Sequence, residues 1–176
     1  VCGARRRHPG RIPEPVTAAD RPEVTQEVLA RAEAAYLGLA LGDALGATVE
    51  FMTPREIVHD YGTHCEIIGG GWLKLRAGQV TDDTGMTMAL AEAILLSGGR
   101  VQALPCATSF DAWMRSRPVD IGNTVRRNLM LFRKTGRTEA PESAQDAGNG
   151  AAMRVLPVAL ATFGLPEDEV RAACRT

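Results

Sequence analysis

An all-α fold, arranged as an orthogonal multi-helix bundle, is the architecture this sequence predicts, and two observations carry it. Apolar residues recur at helical spacing in one segment after another, with breaks at glycine and proline. Strand signals are nearly absent: aromatic residues make up only 5% of the chain, and β-branched residues rarely alternate with polar ones.

The elements follow in order. Residues 1–23 form an Arg/Pro-rich leader whose basic cluster, Arg5-Arg6-Arg7-His8-Pro9-Gly10-Arg11, reads as a solvated tail. Over 24–45, Val28, Leu29, Ala32, Ala35, Tyr36, Leu39 and Ala40 recur at helical spacing, and Gly38, Gly42 and Gly46 lie four apart on one face. Such a stripe either packs against another helix or lets a ligand approach the backbone, and the two readings are compatible. Residues 51–80 are punctuated by Gly69-Gly70-Gly71 and show no sustained period, which predicts a long loop near the site. Helical patterns resume over 83–97, 105–115, 122–134, 150–163 and 166–174. Pro157 either kinks the helix over 150–163 or sits within its first turns.

Composition bounds the function classes. The 176 residues suffice for one domain, and 45% hydrophobic with 23% charged residues suit a soluble protein with a buried core. A net charge of −1 gives no electrostatic footprint for nucleic acid. Cys2, Cys65, Cys106 and Cys174 lack C-x-x-C spacing and read as free thiols in a reducing cytoplasm. No apolar run approaches the roughly 18 residues that cross a bilayer, and the leader lacks a secretory apolar core. A cytoplasmic protein is expected.

Three polar knots stand out from this background. Thr81-Asp82-Asp83-Thr84 precedes the apolar run that ends at Leu96, which places two adjacent carboxylates and a hydroxyl at a helix start. Oxygen ligands of this kind suit Mg²⁺ or Mn²⁺, although Thr at an N-cap followed by Asp is also ordinary helix-start chemistry. The second knot runs from Gly38 through Gly42-Asp43 and Gly46 to Glu50-Phe51, and the third is Asp146-Ala147-Gly148-Asn149-Gly150 through Arg154. Asp43 lies on an otherwise apolar helix, so it needs a partner, either a cluster of backbone N–H groups or Arg154, and a structural role is expected. Asp120 and Asn123 flank a turn before a helix, where Asp is commonly an N-cap. His8, His59 and His64 lack ligand spacing and read as surface residues. Trp113 reads as packing, as does Trp72, although three preceding glycines place Trp72 near a possible protein-facing border.

Together the three knots resemble those of the ADP-ribosylglycohydrolases. The resemblance extends from about Ala30 to the end. Gly69-Gly70-Gly71-Trp72, Ser116 to Thr124 and the 146–154 run bring it nearest to the branch acting on dinitrogenase reductase. It implies an all-helical fold and a metal-dependent hydrolase that removes ADP-ribose from an arginine of that protein, reactivating nitrogenase. Thr81, Asp82 and Asp83 are then metal ligands in a centre of two Mn²⁺ or Mg²⁺ ions. Asp120 is implied as the acid/base acting on the ribose, and Glu50 as a residue that gates entry or assists protonation of the leaving guanidine. Gly122, Asn123, Gly148 and Asn149 are implied to bind ribose, phosphate or adenosine. A substrate-recognition carboxylate expected just before Asp146 is not matched cleanly, so Glu142 is left unassigned.

Relative to that family, residues 24–176 are expected to be the N-terminal portion of a single, C-terminally truncated domain. A later Gly-Gly-Asp-Ala-Asp-Thr motif carrying the other half of the metal site is missing, and the fragment alone is expected to be inactive. The implied partners are ADP-ribosylated dinitrogenase reductase and a nitrogen-signalling regulatory complex, through which reversible membrane association could occur. Two alternatives stand beside this reading: a related glycohydrolase with another ADP-ribosylated substrate, and a non-catalytic helical protein that binds ADP-ribose.

Overall fold

The computed structural model describes residues 22–141, 143 and 148–176. Eight helices form among them: α1 (Gln26–Gly46), α2 (Pro54–Tyr61), α3 (Asp82–Leu96), α4 (Ala103–Arg115), α5 (Asn123–Thr135), α6 (Gly150–Met153), α7 (Leu156–Ala161) and α8 (Glu167–Arg175). The all-α expectation holds. No strand forms among the described residues, where one isolated bridge joins Gly70 and Leu75.

Local chemistry explains several helix ends. Thr25 caps α1 by accepting the Val28 N–H at 3.3 Å. Pro54 opens α2 within a capping box, in which the Thr53 N–H donates to Glu56 Oε2 at 2.6 Å and the Glu56 N–H donates to Thr53 Oγ1. That helix corrects the expected uninterrupted loop over 51–80. Eight residues are too few to show a period, yet the Thr53-Pro54 start and Glu56 were visible. Gly136, at φ 72°, closes α5 in the left-handed conformation.

The single helix expected over 150–163 is instead two, broken at Arg154 and Val155. A continuous helix would direct the residue-157 N–H to the Met153 carbonyl, and Pro157 has no N–H. The fully buried Thr87 on α3 reaches the orphaned oxygen with its hydroxyl at 3.3 Å, while also donating to the Asp83 carbonyl at 2.7 Å. Pro157 thus sits in the first turn of α7, its ring buried.

α3 is the central element and packs on α1, α4, α6 and α7. Its C-terminal half supplies Leu90, Ala93 and Ile94 to a core completed by Cys106 and Val158, with Phe110 and Ala161 at its edge. Gly85 lets α4 close on the opposite end of α3: a Cβ there would lie 2.5 Å from Trp113 Nε1. The glycine stripe on α1 does not serve this purpose. Nothing lies within 4 Å of the Cβ positions of Gly38, Gly42 or Gly46 among the described residues, so no helix exploits that face. Cys65, Cys106 and Cys174 are free thiols, as expected, with Cys106 buried. No helix among the described residues is long and apolar enough to cross a membrane. The basic cluster, Cys2 and His8 lie outside the described residues.

Candidate functional site

Asp43, near the C-terminal end of α1, fixes the start of α3. Its Oδ2 accepts the N–H groups of Thr81 and Thr84 at 2.9 and 3.1 Å and the Thr84 hydroxyl at 2.7 Å, while Oδ1 accepts the Thr81 hydroxyl at 2.8 Å. Thr81 occupies the N-cap position but makes no side-chain cap, because a carboxylate 38 residues away does that job. Backbone and hydroxyl donors therefore satisfy Asp43, and Arg154 does not.

Two carboxylates emerge from the start so held. Asp82 is 9% exposed, and its Oδ2 accepts the Gly122 N–H at 3.2 Å. Burial raises its pKa against that hydrogen bond, and the charges of Asp120 and Asp43 add to the rise. Asp83 is pushed up to about 6, first by burial and then by the negative charges of Asp43, Asp82, Glu50 and Asp120. The fold thus gathers carboxylates from α1, the segment after it, the start of α3 and the turn before α5. Asp120 is not the N-cap expected of it. Gly122 occupies that position, and Asp120 Oδ1 instead accepts the Ile121 N–H at 2.7 Å. Glu50 Oε2 accepts Trp72 Nε1–H at 2.9 Å.

Beside this acidic region lies a cavity of about 480 Å³, lined by Gly122, Asn123, Gly148, Asn149, Arg154 and Asp82 among others. All four residues expected to bind substrate face this one cavity, whereas Asp83, Asp120 and Glu50 do not line it. Asp82 joins the two regions. Asn149 holds the N-cap position of α6 without a side-chain cap. Arg154, considered from sequence only as a partner for Asp43, instead lines the cavity, as does Arg137. The Arg154 guanidinium lies 4.8 Å from the centroid of the Phe110 ring, and burial lowers its pKa against the pull of Asp82. Asp146 and Glu142 lie outside the described residues.

The remaining expectations sort cleanly. His59 is exposed and pairs with Asp60 at 2.7 Å. His64 is more than a surface residue: half-buried, it donates Nε2–H to the Leu45 carbonyl at 2.9 Å and leans on Tyr61. Trp113 packs on α3 at Gly85, whereas Trp72 stands 53% exposed against Glu50.

The donor chemistry fits part of a hard-cation site. Thr81, Asp82 and Asp83 present oxygen alone, and Thr81 commits its hydroxyl hydrogen to Asp43, which leaves its oxygen lone pairs for a cation. Both carboxylates have raised pKa values, first from burial and then from like charges, and a divalent ion would relieve that cost. Among the described residues, no three Asp, Glu, His or Cys side chains converge on one ion's position.

A family model described as ADP-ribosylglycohydrolase matches residues 24–176. The chain is 55% identical over 138 residues to the ADP-ribosyl-[dinitrogen reductase] glycohydrolase of Rhodospirillum rubrum, covering 78% of this chain and 47% of that protein. It is 37% identical over 145 residues to the ADP-ribosylarginine hydrolase Tri1 of Serratia proteamaculans (strain 568), covering 76% and 37%. A solved chain described as an ADP-ribosylglycohydrolase-related protein complex superposes with a TM-score of 0.63 at 31% identity, covering 82% of this chain and 52% of that one. The chain spans about half the length, or less, of the curated relatives it matches.

Proposed function

This chain belongs to the ADP-ribosylglycohydrolase family, and from that premise we propose that it serves a hydrolase releasing ADP-ribose from ADP-ribosylated arginine, with dinitrogenase reductase as the protein substrate. The observation that carries the proposal is the junction at Asp82 between a carboxylate cluster and a cavity lined by Arg137, Arg154 and several amide and hydroxyl groups. The names of the relatives supply the substrate: one acts on dinitrogen reductase, another on ADP-ribosylarginine.

The chemistry suits that division. Cleavage breaks the bond between ribose C1″ and a guanidine nitrogen, water supplies the oxygen that replaces it, and the nitrogen leaves with a proton. Positive charge grows on the sugar as the bond stretches, and the surrounding carboxylates stabilise it. In this reading Asp120 moves the proton at the ribose and Glu50 stands at the departing guanidine. Gly122 and Asn123, at the start of α5, together with Gly148, Asn149 and Arg154, receive the pyrophosphate-bearing end, where a helix N-terminus and a guanidinium both favour negative charge. Thr81, Asp82 and Asp83 would hold Mn²⁺ or Mg²⁺, which when bound supplies Lewis acidity and orients vicinal hydroxyls.

The test is ADP-ribose release from modified dinitrogenase reductase with Mn²⁺ or EDTA, using this chain and a version extended to the length of its relatives. Metal-dependent release abolished by Asp83→Ala supports the proposal; no release by either protein refutes it. A second reading, an ADP-ribose-binding module, is favoured by the lack of three converging ligands among the described residues. Under that reading ADP-ribose binds without Mn²⁺ and is never released from protein.

A further inference from the structure

A tight turn over residues 69–75 carries an aromatic residue to the carboxylate of Glu50. Backbone hydrogen bonds exchanged between Gly70 and Leu75, both 2.8 Å, close the turn. It is pinned beneath the end of α1: Gly71 has φ +64°, and a Cβ on it would lie 2.7 Å from the Ala47 carbonyl oxygen. Trp72 is thereby held with Nε1 donating to Glu50 Oε2 at 2.9 Å. The neighbouring Phe51 ring meets the indole edge to face, with centroids 5.4 Å apart and planes at 64°.

Packing does not account for this arrangement. Phe51 adopts φ +65°, a left-handed conformation that disfavours a bulky side chain, and the residue is 81% exposed. Trp72 is 53% exposed although the turn that fixes it leaves little freedom. Strain that gains no burial points towards a binding role. Among the described residues no donor reaches Glu50 Oε1, so one edge of this carboxylate stands open beside two ring surfaces.

We propose that Phe51, Trp72 and Glu50 form the binding site for the guanidinium of the arginine that bears ADP-ribose. A planar, weakly hydrated guanidinium stacks on aromatic faces while its fork of N–H donors engages a carboxylate, and no other side chain combines both properties. The Trp72 N–H sets the carboxylate's orientation, and Phe51 and Trp72 confer the preference for arginine. The assignment rests on the hydrolase reading above and deepens it.

Agmatine, a guanidinium on a short chain, is a suitable probe, and butylurea is its neutral planar counterpart. The chain is titrated with each and followed by ligand-observed NMR, with ADP-ribose titrated on the same samples. Saturable agmatine binding without butylurea binding is expected. Phe51→Ala and Trp72→Leu each weaken it roughly two- to five-fold, and Glu50→Gln weakens it further. ADP-ribose affinity stays unchanged in Phe51→Ala and Trp72→Leu. No agmatine binding, or equal binding in these two variants, overturns the site. Parallel loss of ADP-ribose binding overturns it too, since that marks a general loss of fold. The hydrolase reading is judged separately, by ADP-ribose release.

Discussion

Replacing Asp83 by Asn should make the metal-free chain more stable at neutral pH. Burial and four neighbouring carboxylates hold the Asp83 pKa at about 6, against an ordinary value of 3.8. A rise of this size corresponds to about 3 kcal/mol at about 1.36 kcal/mol per unit. Asp83 is only partly buried, and solvent screening roughly halves the figure, to about 1.5 kcal/mol. The sign follows from linkage: the folded state holds the proton more tightly, so the stabilising contribution is complete below pH 3.8 and lost as pH rises through about 6. The parent chain should therefore lose stability relative to Asp83→Asn between pH 4 and pH 7. At pH 7 the variant should be more stable by about 1.5 kcal/mol.

Urea denaturation at constant ionic strength across that range, without divalent ions, measures the difference directly. Glu56, lowered chiefly by its hydrogen bonds to Thr53, titrates alike in both proteins and cancels in the comparison, whereas Asp82, also raised by burial, is eased when its neighbour loses its charge and adds to the variant's gain. Adding Mn²⁺ should then reverse the order at pH 7, because the ion binds the parent's carboxylate and finds a weaker ligand in Asn. A variant no more stable than the parent at pH 7, or a difference that does not change with pH, would refute the claim that the cluster carries uncompensated charge.

Substitutions at three further positions probe the supports of the site. Asp43→Ala removes the acceptor for two N–H and two hydroxyl groups and should cost about 2–3 kcal/mol in urea denaturation; Asp43→Asn should recover part of this, and a loss below about 1 kcal/mol would deny Asp43 its anchoring role. Gly85→Ala gains about 1 kcal/mol of helix propensity but places a Cβ 2.5 Å from Trp113 Nε1. The expected net loss is about 1–2 kcal/mol, and a gain would show that Trp113 moves aside. Gly71→Ala meets both a left-handed φ and a backbone oxygen, so a loss of about 2 kcal/mol and altered Trp72 fluorescence are expected. Unchanged melting and emission would mean that the turn is not pinned.

What the sequence disclosed follows the physics of each signal. Helical spacing between glycine and proline breaks announces α1, α3, α4, α5 and α8, which fall close to their expected spans. α2 is too short for periodicity and is declared only by its capping box. The break between α6 and α7 is a tertiary matter: Pro157 permitted either a kink or a start, and the Thr87 hydroxyl that serves Met153 lies 66 residues away. The same holds at the site. Residue types at Thr81, Asp82 and Asp83 were legible, whereas the tie from Asp43 to Thr81 and the Trp72–Glu50 pair depend on chain crossings that no local pattern encodes. Trp72 and Phe51 were least legible, since exposed aromatics carry no periodic signature.

Asp82 explains why the two halves of the site should not behave independently. Its carboxylate is buried at the first residue of α3, and the same oxygen that accepts the Gly122 N–H ties the start of α3 to the start of α5, which borders the cavity. If Asp82 were to hold a cation, that cation would share with the Gly122 N–H the one carboxylate that joins the two helix starts. Asp83 does not line the cavity, and its pKa is raised first by burial and then by the like charges around it. The adjacent acids therefore differ in setting: Asp83 faces the other carboxylates, whereas Asp82 connects the acidic region to the cavity wall. The double attachment of α3, through Asp43 at its start and through Leu90, Ala93 and Ile94 in the core, keeps that linkage from being absorbed by movement of the helix itself.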